Sequence, residues 1–411
     1  MNLGDRIQNL RFTSGGAPIA SQRTGPAEFN TASSATTFAY EVNLRVPANP
    51  HDGTHISWCD EQRGYLMLGD LLPDFPAGKM QVELSLPPGW QAASSTTRNL
   101  RGWYEVTDKA TVVFLIGRDL KQKQKRIGSV DFTFVTAGVW SLSSASVINN
   151  ATRIIKDRSK YTGFEPRGPV TVMLAPFPVN ARGWSAETRG NNVVMLANNA
   201  AFSSAQLSVV LCHELFHLWI PNALSLTGDY AWFYEGFTLY QALCTAVRLG
   251  LVDFHEYLAT LGRVYDSYRQ ASEGHNQSLL AVSEHRWTSG GSFVYDQGML
   301  VAFLCDLKLR REVRDGLDVV YRKLLRDFSN SSEQVDGNEA IIRLLTAQTS
   351  DERFVRHYLE GTGQIDLDTA LRDYGLRVVN SGGQSLLEII DPLSNEQREL
   401  LTGLGYRKGR R

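Results

Sequence analysis

The first third of the chain alternates short apolar runs with turn-forming residues, from Thr37 to about Val139. The runs are rich in β-branched and aromatic residues, and Pro, Gly, Asn and Asp separate them; they read FAYEVNLRV, GYLMLGDLL, KMQVELSL, TVVFLIG and SVDFTFVTAGV. Several such runs at short intervals, with no helical pattern between them, predict an antiparallel β-sandwich.

One charged run, Lys121–Arg126 (KQKQKR), lies between two of these apolar runs. It has two interpretations. A cluster of cationic side chains can form a small anion-binding patch, but a short charged run between strands is more often a solvated hairpin turn.

From about Ser141 the apolar period is that of a helix, with Val147, Ala151, Ile154, Ile155 and Tyr161 on one face. Two strand candidates, Val170–Leu174 and Asn192–Leu196, follow it. Downstream, the period predicts helices over about 205–219, 231–249, 252–271, 296–312, 316–328, 337–347, 351–360 and 366–374. A short strand-like segment follows Leu376, and Ser394–Gln397 (SNEQ) has the spacing of a capping box, which predicts the start of a last helix.

These patterns predict an α+β, multidomain protein with three regions. Residues 1–140 form an N-terminal β-rich domain, residues 141–376 form a mainly helical domain, and residues 377–411 form a short C-terminal appendage.

Composition excludes some classes of function. The 42 Lys and Arg against 43 Asp and Glu give a net charge of -1, which lacks the basic excess of a general nucleic-acid binder. No apolar run approaches the roughly 18 residues of a membrane span, and the N-terminus shows no readable signal peptide. The four Cys are scattered without CxxC spacing, which favours a reducing, cytoplasmic compartment over a disulfide scaffold.

The most informative motif is His213-Glu214-Leu215-Phe216-His217, within the predicted helix 205–219. Two His at i and i+4 lie about 40° apart on one helix face, so their imidazoles can converge on one cation. Glu214 lies about 100° from His213 around the helix axis, where it can hold a water molecule at the metal without being a ligand.

The motif alone is only suggestive, because HExxH arises by chance in roughly one such chain in a hundred. An isolated His on an apolar helix face is more often a satisfied core residue. This helix, however, is apolar almost all round, which implies burial, and two His and a Glu are costly to bury unless they are paired or bind a metal. By contrast, His51 and His55 (HDGTH) have the same spacing in a non-helical region, and we interpret them as surface residues.

A catalytic zinc takes three protein ligands and leaves a position for water. Glu235, in WFYEGFTLY, is the best third ligand because it lies at the start of the next predicted helix, after a short linker. Gly236 beside it lets two helices approach closely. The alternative is that Glu235 is only a first-turn partner of the helix dipole.

HELFHLW followed by WFYEGFTLY resembles the gluzincin metallopeptidases, and in detail the glycyl aminopeptidase family. Val294–Arg310 is similar to the Tyr-x-x-Gly helix of that family, and Phe354–Leu376 resembles the end of its catalytic domain. The resemblance is specific from about residue 165 to 376. It implies a thermolysin-like catalytic domain, one zinc ion per chain and hydrolysis of peptide bonds.

Residue by residue, the resemblance makes His213, His217 and Glu235 the zinc ligands and Glu214 the general base. Tyr295 falls where such enzymes place the Tyr that hydrogen-bonds the developing oxyanion; the alternative is a plain core Tyr.

The resemblance is weaker in two places. In the segment that captures the substrate amino group, Glu187 is the best match, but the His expected after it is absent, and Glu187 can equally be a solvated loop acid. The family's PDZ module has no counterpart in the 35 residues after Leu376.

Asn192–Leu196 is either the edge strand that holds an extended peptide or an ordinary internal strand.

The hypothesis from the sequence is a zinc metallopeptidase, specifically an aminopeptidase, that acts on a peptide or protein substrate through a metal-activated water. The rival is a catalytically silent, zinc-containing peptide-binding protein with a peptidase fold. Side-chain preference, exo- or endopeptidase action and oligomeric state are not determined by the sequence.

Overall fold

The computed structural model describes residues 3–26, 28–74, 78–179, 183–198, 204–272, 277–285 and 291–407. Its strands are β1 Ile7–Ser14, β2 Ala17–Ile19, β3 Ser21–Arg23, β4 Phe29–Thr31, β5 Thr37–Val42, β6 Trp58–Cys59, β7 Arg63–Met67, β8 Met80–Val82, β9 Gln91–Ala93, β10 Tyr104–Val106, β11 Val113–Gly117, β12 Lys121–Ile127, β13 Val130–Thr136, β14 Val170–Pro176, β15 Trp184–Arg189, β16 Asn192–Ala197, β17 Leu226–Thr227, β18 Val335–Asp336, β19 Leu376–Ser381 and β20 Gln384–Ile389.

Its α-helices are α1 Leu68–Leu71, α2 Ser144–Thr162, α3 Ser204–Phe216, α4 Thr238–Arg248, α5 Phe254–Ser272, α6 Leu279–Ser283, α7 Gly291–Glu312, α8 Asp318–Phe328, α9 Gly337–Thr349, α10 Glu352–Val355, α11 Leu367–Leu371 and α12 Asn395–Gly403. Two segments are π-helical, Trp232–Phe237 and Arg356–Glu360. In the part of the chain that the structure describes, no helix is long and apolar enough to cross a membrane.

The chain forms two compact units. The first contains Met1–Ile148 and Arg167–Phe202, and the second contains Asn149–Pro166 and Ser203–Arg411. The first unit is therefore discontinuous in sequence. It is rich in strands, whereas the second is mainly helical, as the apolar periods predict.

Two sheets build the core of the first unit. One is antiparallel with the order β6-β7-β11-β9, and the other is mixed with the order β12-β13-β14-β16-β15. Apolar side chains of both sheets pack into one cluster, which includes Tyr65, Val113, Val135, Met173 and Val194. A second cluster, which includes Leu66 and Phe114, covers the other face of the antiparallel sheet, so that this sheet is buried on both faces.

The charged run Lys121–Arg126 is a strand, not the predicted hairpin turn. It forms β12, which pairs with β13 along its whole length, and only Ile127 at its end is buried. The run lacks an apolar alternation because both its faces are exposed at the edge of the sheet. Lys side chains on an edge strand hinder pairing with other chains.

The strand at Asn192–Leu196 is internal, so its interpretation as an edge strand is wrong. It forms β16, which pairs in parallel with β14 on one side and antiparallel with β15 on the other. The edge is β15, which carries Glu187, and β16 is its only strand partner among the described residues.

The helical unit is held together partly by buried charges. The Arg158 guanidinium is fully buried and contacts Asp157 at 3.0 Å and Asp318 at 3.1 Å. Arg248 also pairs with Asp157, at 2.8 Å, so the network joins α2, α4 and α8. Removing one member of such a network would leave an unpaired buried charge, which is strongly destabilising.

The C-terminal elements follow the sequence prediction. After Leu376, β19 and β20 form an antiparallel hairpin. The capping box is confirmed, because the Ser394 side chain accepts from Gln397 N and the Gln397 side chain accepts from Ser394 N at the start of α12.

Candidate metal centre

The helix that carries His213 and Glu214 tightens just before His217. The α-helical pattern of α3 ends at Phe216, whereas the sequence predicted an end at about residue 219. The next amides instead bond three residues back, from His217 N to Glu214 O and from Trp219 N to Phe216 O. This 3₁₀-type ending keeps His217 one turn above His213.

The His217 ring is fixed by the backbone. Its Nδ1 lies 2.9 Å from the carbonyl oxygen of Ile220, which can only accept, so Nδ1 carries the proton and Nε2 presents a lone pair. Burial lowers the pKa of His217 below its usual value, although the neighbouring Glu235 raises it. His217 is therefore neutral near pH 7, the state in which imidazole binds a metal.

Glu235 lies in the π-helical turn Trp232–Phe237, directly before α4. Side chains from distant segments fix this turn: the Ser283 hydroxyl accepts from Trp232 N, and the Asn338 side chain accepts from the Trp232 indole. Single π-helical turns are rare and are often found at functional sites. The sequence predicted a helix here but not this widening.

Gly236 permits a close backbone approach between the π-helical turn and α7. A Cβ atom at Gly236 would lie 2.5 Å from Gly298 Cα, and one at Gly298 would lie 2.6 Å from Trp232 O. Both positions therefore require glycine. Because Tyr295 precedes Gly298 by one helical turn, this contact brings the Tyr295 segment alongside the turn that carries Glu235.

His213, His217 and Glu235 converge on one point. The two Nε2 atoms lie 3.1 Å apart, and Glu235 Oε2 lies 3.5 Å from that of His213 and 3.6 Å from that of His217. Three atoms at these distances lie on a circle with a radius of about 2.0 Å, which matches zinc–nitrogen and zinc–oxygen bond lengths. Two imidazoles and a carboxylate are also ligands that zinc prefers. The residues fit a zinc ion.

Burial shields this cluster from water. The side chains of His213 and Glu235 are each 13% exposed, and Glu214 is 4% exposed. Among the described residues, these three ligand candidates are the only group of His, Cys, Asp or Glu with metal-binding geometry. A partly open site with three ligands leaves room for water or substrate, as catalytic zinc sites do.

The remaining predicted site residues are Tyr295 and Glu187. Tyr295 is half-buried on α7, in the same compact unit as the three ligand candidates. Glu187 lies on β15 in the first unit, where its carboxylate is 3.5 Å from His55 Nδ1 and 3.5 Å from Arg189.

His55 and Arg189 are absent from the residues that sequence reasoning selected. No local pattern links His55 to a position 132 residues away, and our interpretation of His55 as a plain surface residue missed its contact with Glu187. The side chain of His51 lies outside the described residues.

Solved structures with the same fold are zinc peptidases or their relatives. An aminopeptidase N family protein from Idiomarina loihiensis aligns with a TM-score of 0.81 and 19% identity, over 92% of this chain and 72% of that chain. An M1 zinc metallopeptidase from Deinococcus radiodurans aligns with a TM-score of 0.57 and 17% identity, over 88% and 85%. A mutant of the latter, bound to a Tyr-ser-ala substrate, aligns with a TM-score of 0.59 and 16% identity, over 88% and 85%.

These alignments confirm the predicted α+β fold, with its β-rich N-terminal part and its mainly helical peptidase part. No curated protein sequence matches the chain significantly. Two family models do match. The model of the M61 glycyl aminopeptidase matches residues 206–301, which include the five residues His213, Glu214, His217, Glu235 and Tyr295, and the model of the peptidase M61 N-terminal domain matches residues 1–113. The chain belongs to the M61 glycyl aminopeptidase family.

Proposed function

We propose that this M61 family peptidase is a zinc-dependent aminopeptidase in which His213, His217 and Glu235 hold one zinc ion. The observation that carries the proposal is the convergence of two Nε2 atoms and one carboxylate oxygen, 3.1–3.6 Å apart, in a largely buried site. When bound, zinc lowers the pKa of a water molecule towards neutrality and polarises the scissile carbonyl.

Glu214 acts as the general base and acid. It follows His213 directly on α3 and is buried, so its carboxylate is held next to the ligands in a largely dry environment. It takes a proton from the attacking water and returns it to the leaving amine, the two-way use expected of such a group. His217 cannot do this work, because its Nδ1 proton is engaged with Ile220 O.

Tyr295 donates a hydrogen bond to the carbonyl oxygen as negative charge develops on it. Its place on α7 supports this role, because the Gly236–Gly298 contact holds α7 against the turn that bears Glu235. A donor that meets the oxygen mainly in the transition state accelerates the chemical step and hardly affects substrate binding.

We propose that Glu187, on β15, receives the amino group of the substrate. β15 is the edge strand of its sheet among the described residues, and extended peptides commonly add to edge strands. The M1 zinc metallopeptidase with a Tyr-ser-ala substrate shows that a relative of this fold binds a tripeptide.

The variant Glu214→Gln tests the catalytic proposal. The change keeps the shape of the side chain and removes the base, so hydrolysis of peptide substrates should fall by at least about 10²-fold while one zinc per chain is retained. Activity is measured on a panel of fluorogenic aminoacyl and dipeptide substrates, and zinc by elemental analysis. Glu312→Gln, at an exposed position on α7, is the matched control and should behave as the unaltered protein.

Full activity in Glu214→Gln would refute its role. An unaltered protein that contains zinc and binds peptides but cleaves none of them would favour the rival function, a catalytically silent peptide-binding protein. A protein without zinc after purification in zinc-containing buffer would contradict the metal centre itself.

A further inference from the structure

The Glu187 carboxylate on the edge strand β15 lies beside two basic side chains, those of Arg189 and His55. Ser185, Glu187 and Arg189 alternate along β15 and so point to the same side of the sheet. Arg189 Nη2 lies 3.5 Å from Glu187 Oε1, and His55 Nδ1 lies 3.5 Å from Glu187 Oε2. Each carboxylate oxygen therefore has a cationic or potentially cationic neighbour.

The segment that supplies His55 is firmly attached to the sheet. The hydroxyls of Thr54 and Ser185 lie 2.8 Å apart and are buried, and the buried Trp58 indole donates to Gly53 O at 2.9 Å. A Cβ atom at Gly53 would lie 2.8 Å from a methyl of Leu196 on β16, so the backbone there packs against the sheet. The contact of His55 with Glu187 is therefore part of a built arrangement.

The contacts of Glu187 with Arg189 and His55 are longer than typical charge-assisted hydrogen bonds. Charge-assisted hydrogen bonds are about 2.7–2.9 Å long, whereas these two contacts each measure 3.5 Å. Among the described residues, Arg189 Nε is buried and has no hydrogen-bond partner. The side chains of Glu187 and Arg189 are each 27% exposed, so a ligand can reach them.

The charges of Arg189 and Glu187 both affect the pKa of the buried Tyr65 hydroxyl. This hydroxyl lies in the core beneath β15, and burial raises its pKa far above the usual value. The positive charge of Arg189 lowers that pKa and the negative charge of Glu187 raises it. The two charges therefore act in opposite directions on this hydroxyl.

We infer that Arg189 is a specificity-determining residue: by compensating the charge of Glu187, it limits how strongly the site prefers a substrate with a free amino terminus. The inference rests on the proposed function, in which Glu187 receives the substrate ammonium group. That ammonium must compete with the guanidinium for the same carboxylate. Removing the guanidinium should therefore strengthen the binding of free amino termini and leave blocked ones unaffected.

The test measures peptide binding in the Glu214→Gln background, so that substrates are not consumed. Two peptides of one sequence, one with a free and one with an acetylated amino terminus, are titrated by calorimetry. Arg189→Gln should lower the dissociation constant of the peptide with a free amino terminus by about two- to fivefold, the effect expected from a partly exposed ion pair. The dissociation constant of the acetylated peptide should stay unchanged. Glu187→Gln should remove the preference for the free peptide.

Two further variants isolate the charge effect. Arg189→Lys keeps the positive charge and should keep the parent ratio of the two dissociation constants. Arg126→Gln removes an exposed Arg that pairs with Asp131 on the opposite edge of the same sheet, and it should change neither constant.

The outcomes distinguish this inference from the proposed function. Suppose that both peptides bind, but Arg189→Gln changes their dissociation constants equally or weakens binding of the peptide with a free amino terminus. The role of Arg189 is then refuted, while the peptidase proposal stands. If neither peptide binds to the zinc-loaded protein, both proposals fail.

Discussion

At the scale of single residues, Tyr295 offers the sharpest kinetic prediction. Tyr295→Phe removes one hydroxyl and keeps the ring, so packing on α7 is preserved. If the hydroxyl donates to the developing oxyanion, kcat should fall by about 10²-fold or more while KM changes little. Steady-state kinetics on the best fluorogenic substrate measures both constants.

Tyr406→Phe is the matched control for this change. Tyr406 packs against Phe254 near the C-terminal end of the chain, and its variant should keep both constants. A Tyr295→Phe protein with unchanged kcat, or with a raised KM alone, would make Tyr295 a core or binding residue.

Sequence reasoning at this scale works where the chemistry is local. The i and i+4 spacing of His213 and His217 was readable because the residues share a helix, and Glu235 follows after a short linker. The hydrogen bond from His217 to Ile220 O was not predictable, because it depends on where the α-helical pattern stops. The contact of His55 with Glu187 was equally hidden, because the two residues lie far apart in the sequence and meet only in the folded protein.

At the scale of secondary-structure elements, the contact between the π-helical turn and α7 yields a stability prediction. Gly236→Ala and Gly298→Ala each place a methyl group within 3 Å of backbone atoms. The two elements must then move apart, which should cost about 1–3 kcal/mol in the free energy of unfolding. Because Glu235 adjoins Gly236, Gly236→Ala should also weaken zinc binding. Urea denaturation and zinc titration measure the two effects.

Gly403→Ala provides a control within a helix. A Cβ atom at this position, the last residue of α12, would approach only the end of the Arg310 side chain, at 3.5 Å. Its effect on unfolding should be within about 0.5 kcal/mol. Equal effects at Gly403 and Gly236 would show that the close approach does not limit stability.

The elements themselves were predicted unevenly. Helices with one apolar face and clear caps, such as α12 with its Ser394–Gln397 capping box, could be placed from the sequence. The π-helical turn could not, because its largely apolar sequence fits α- and π-helical geometry alike. β12 was missed because a strand exposed on both faces has no apolar alternation.

At the scale of the whole molecule, metal binding should couple to stability. A ligand that binds only the folded state stabilises it, by about 2.7 kcal/mol at a hundredfold excess over its Kd. Removing zinc with a chelator should therefore lower Tm by several degrees, and added zinc should restore it. Differential scanning calorimetry with and without the chelator measures the shift.

Loss of a ligand should abolish this coupling. In a Glu235→Ala variant, the chelator should leave Tm almost unchanged, because little zinc is bound at the start. A chelator effect of the same size in this variant would place the stabilising metal elsewhere in the protein.

The larger organisation remains partly a prediction. The α+β fold is confirmed, but the three regions 1–140, 141–376 and 377–411 and a cytoplasmic location stay predictions. Periodicity identified the strands β13, β14 and β16, but it does not predict which strands pair with each other. That order is set by long-range packing in the core, where both sheets contribute side chains.

The discontinuity of the first unit has a consequence for how the protein is made. β13 pairs in parallel with β14, and β14 in turn with β16, so the five-stranded sheet is incomplete until residue 197 has been synthesised. A nascent chain exposes an unpaired side of β13 until β14 has emerged, and an unpaired side of β14 until β16 has emerged. Folding of the strand-rich unit must therefore wait for a segment that the chain delivers after its first long helix.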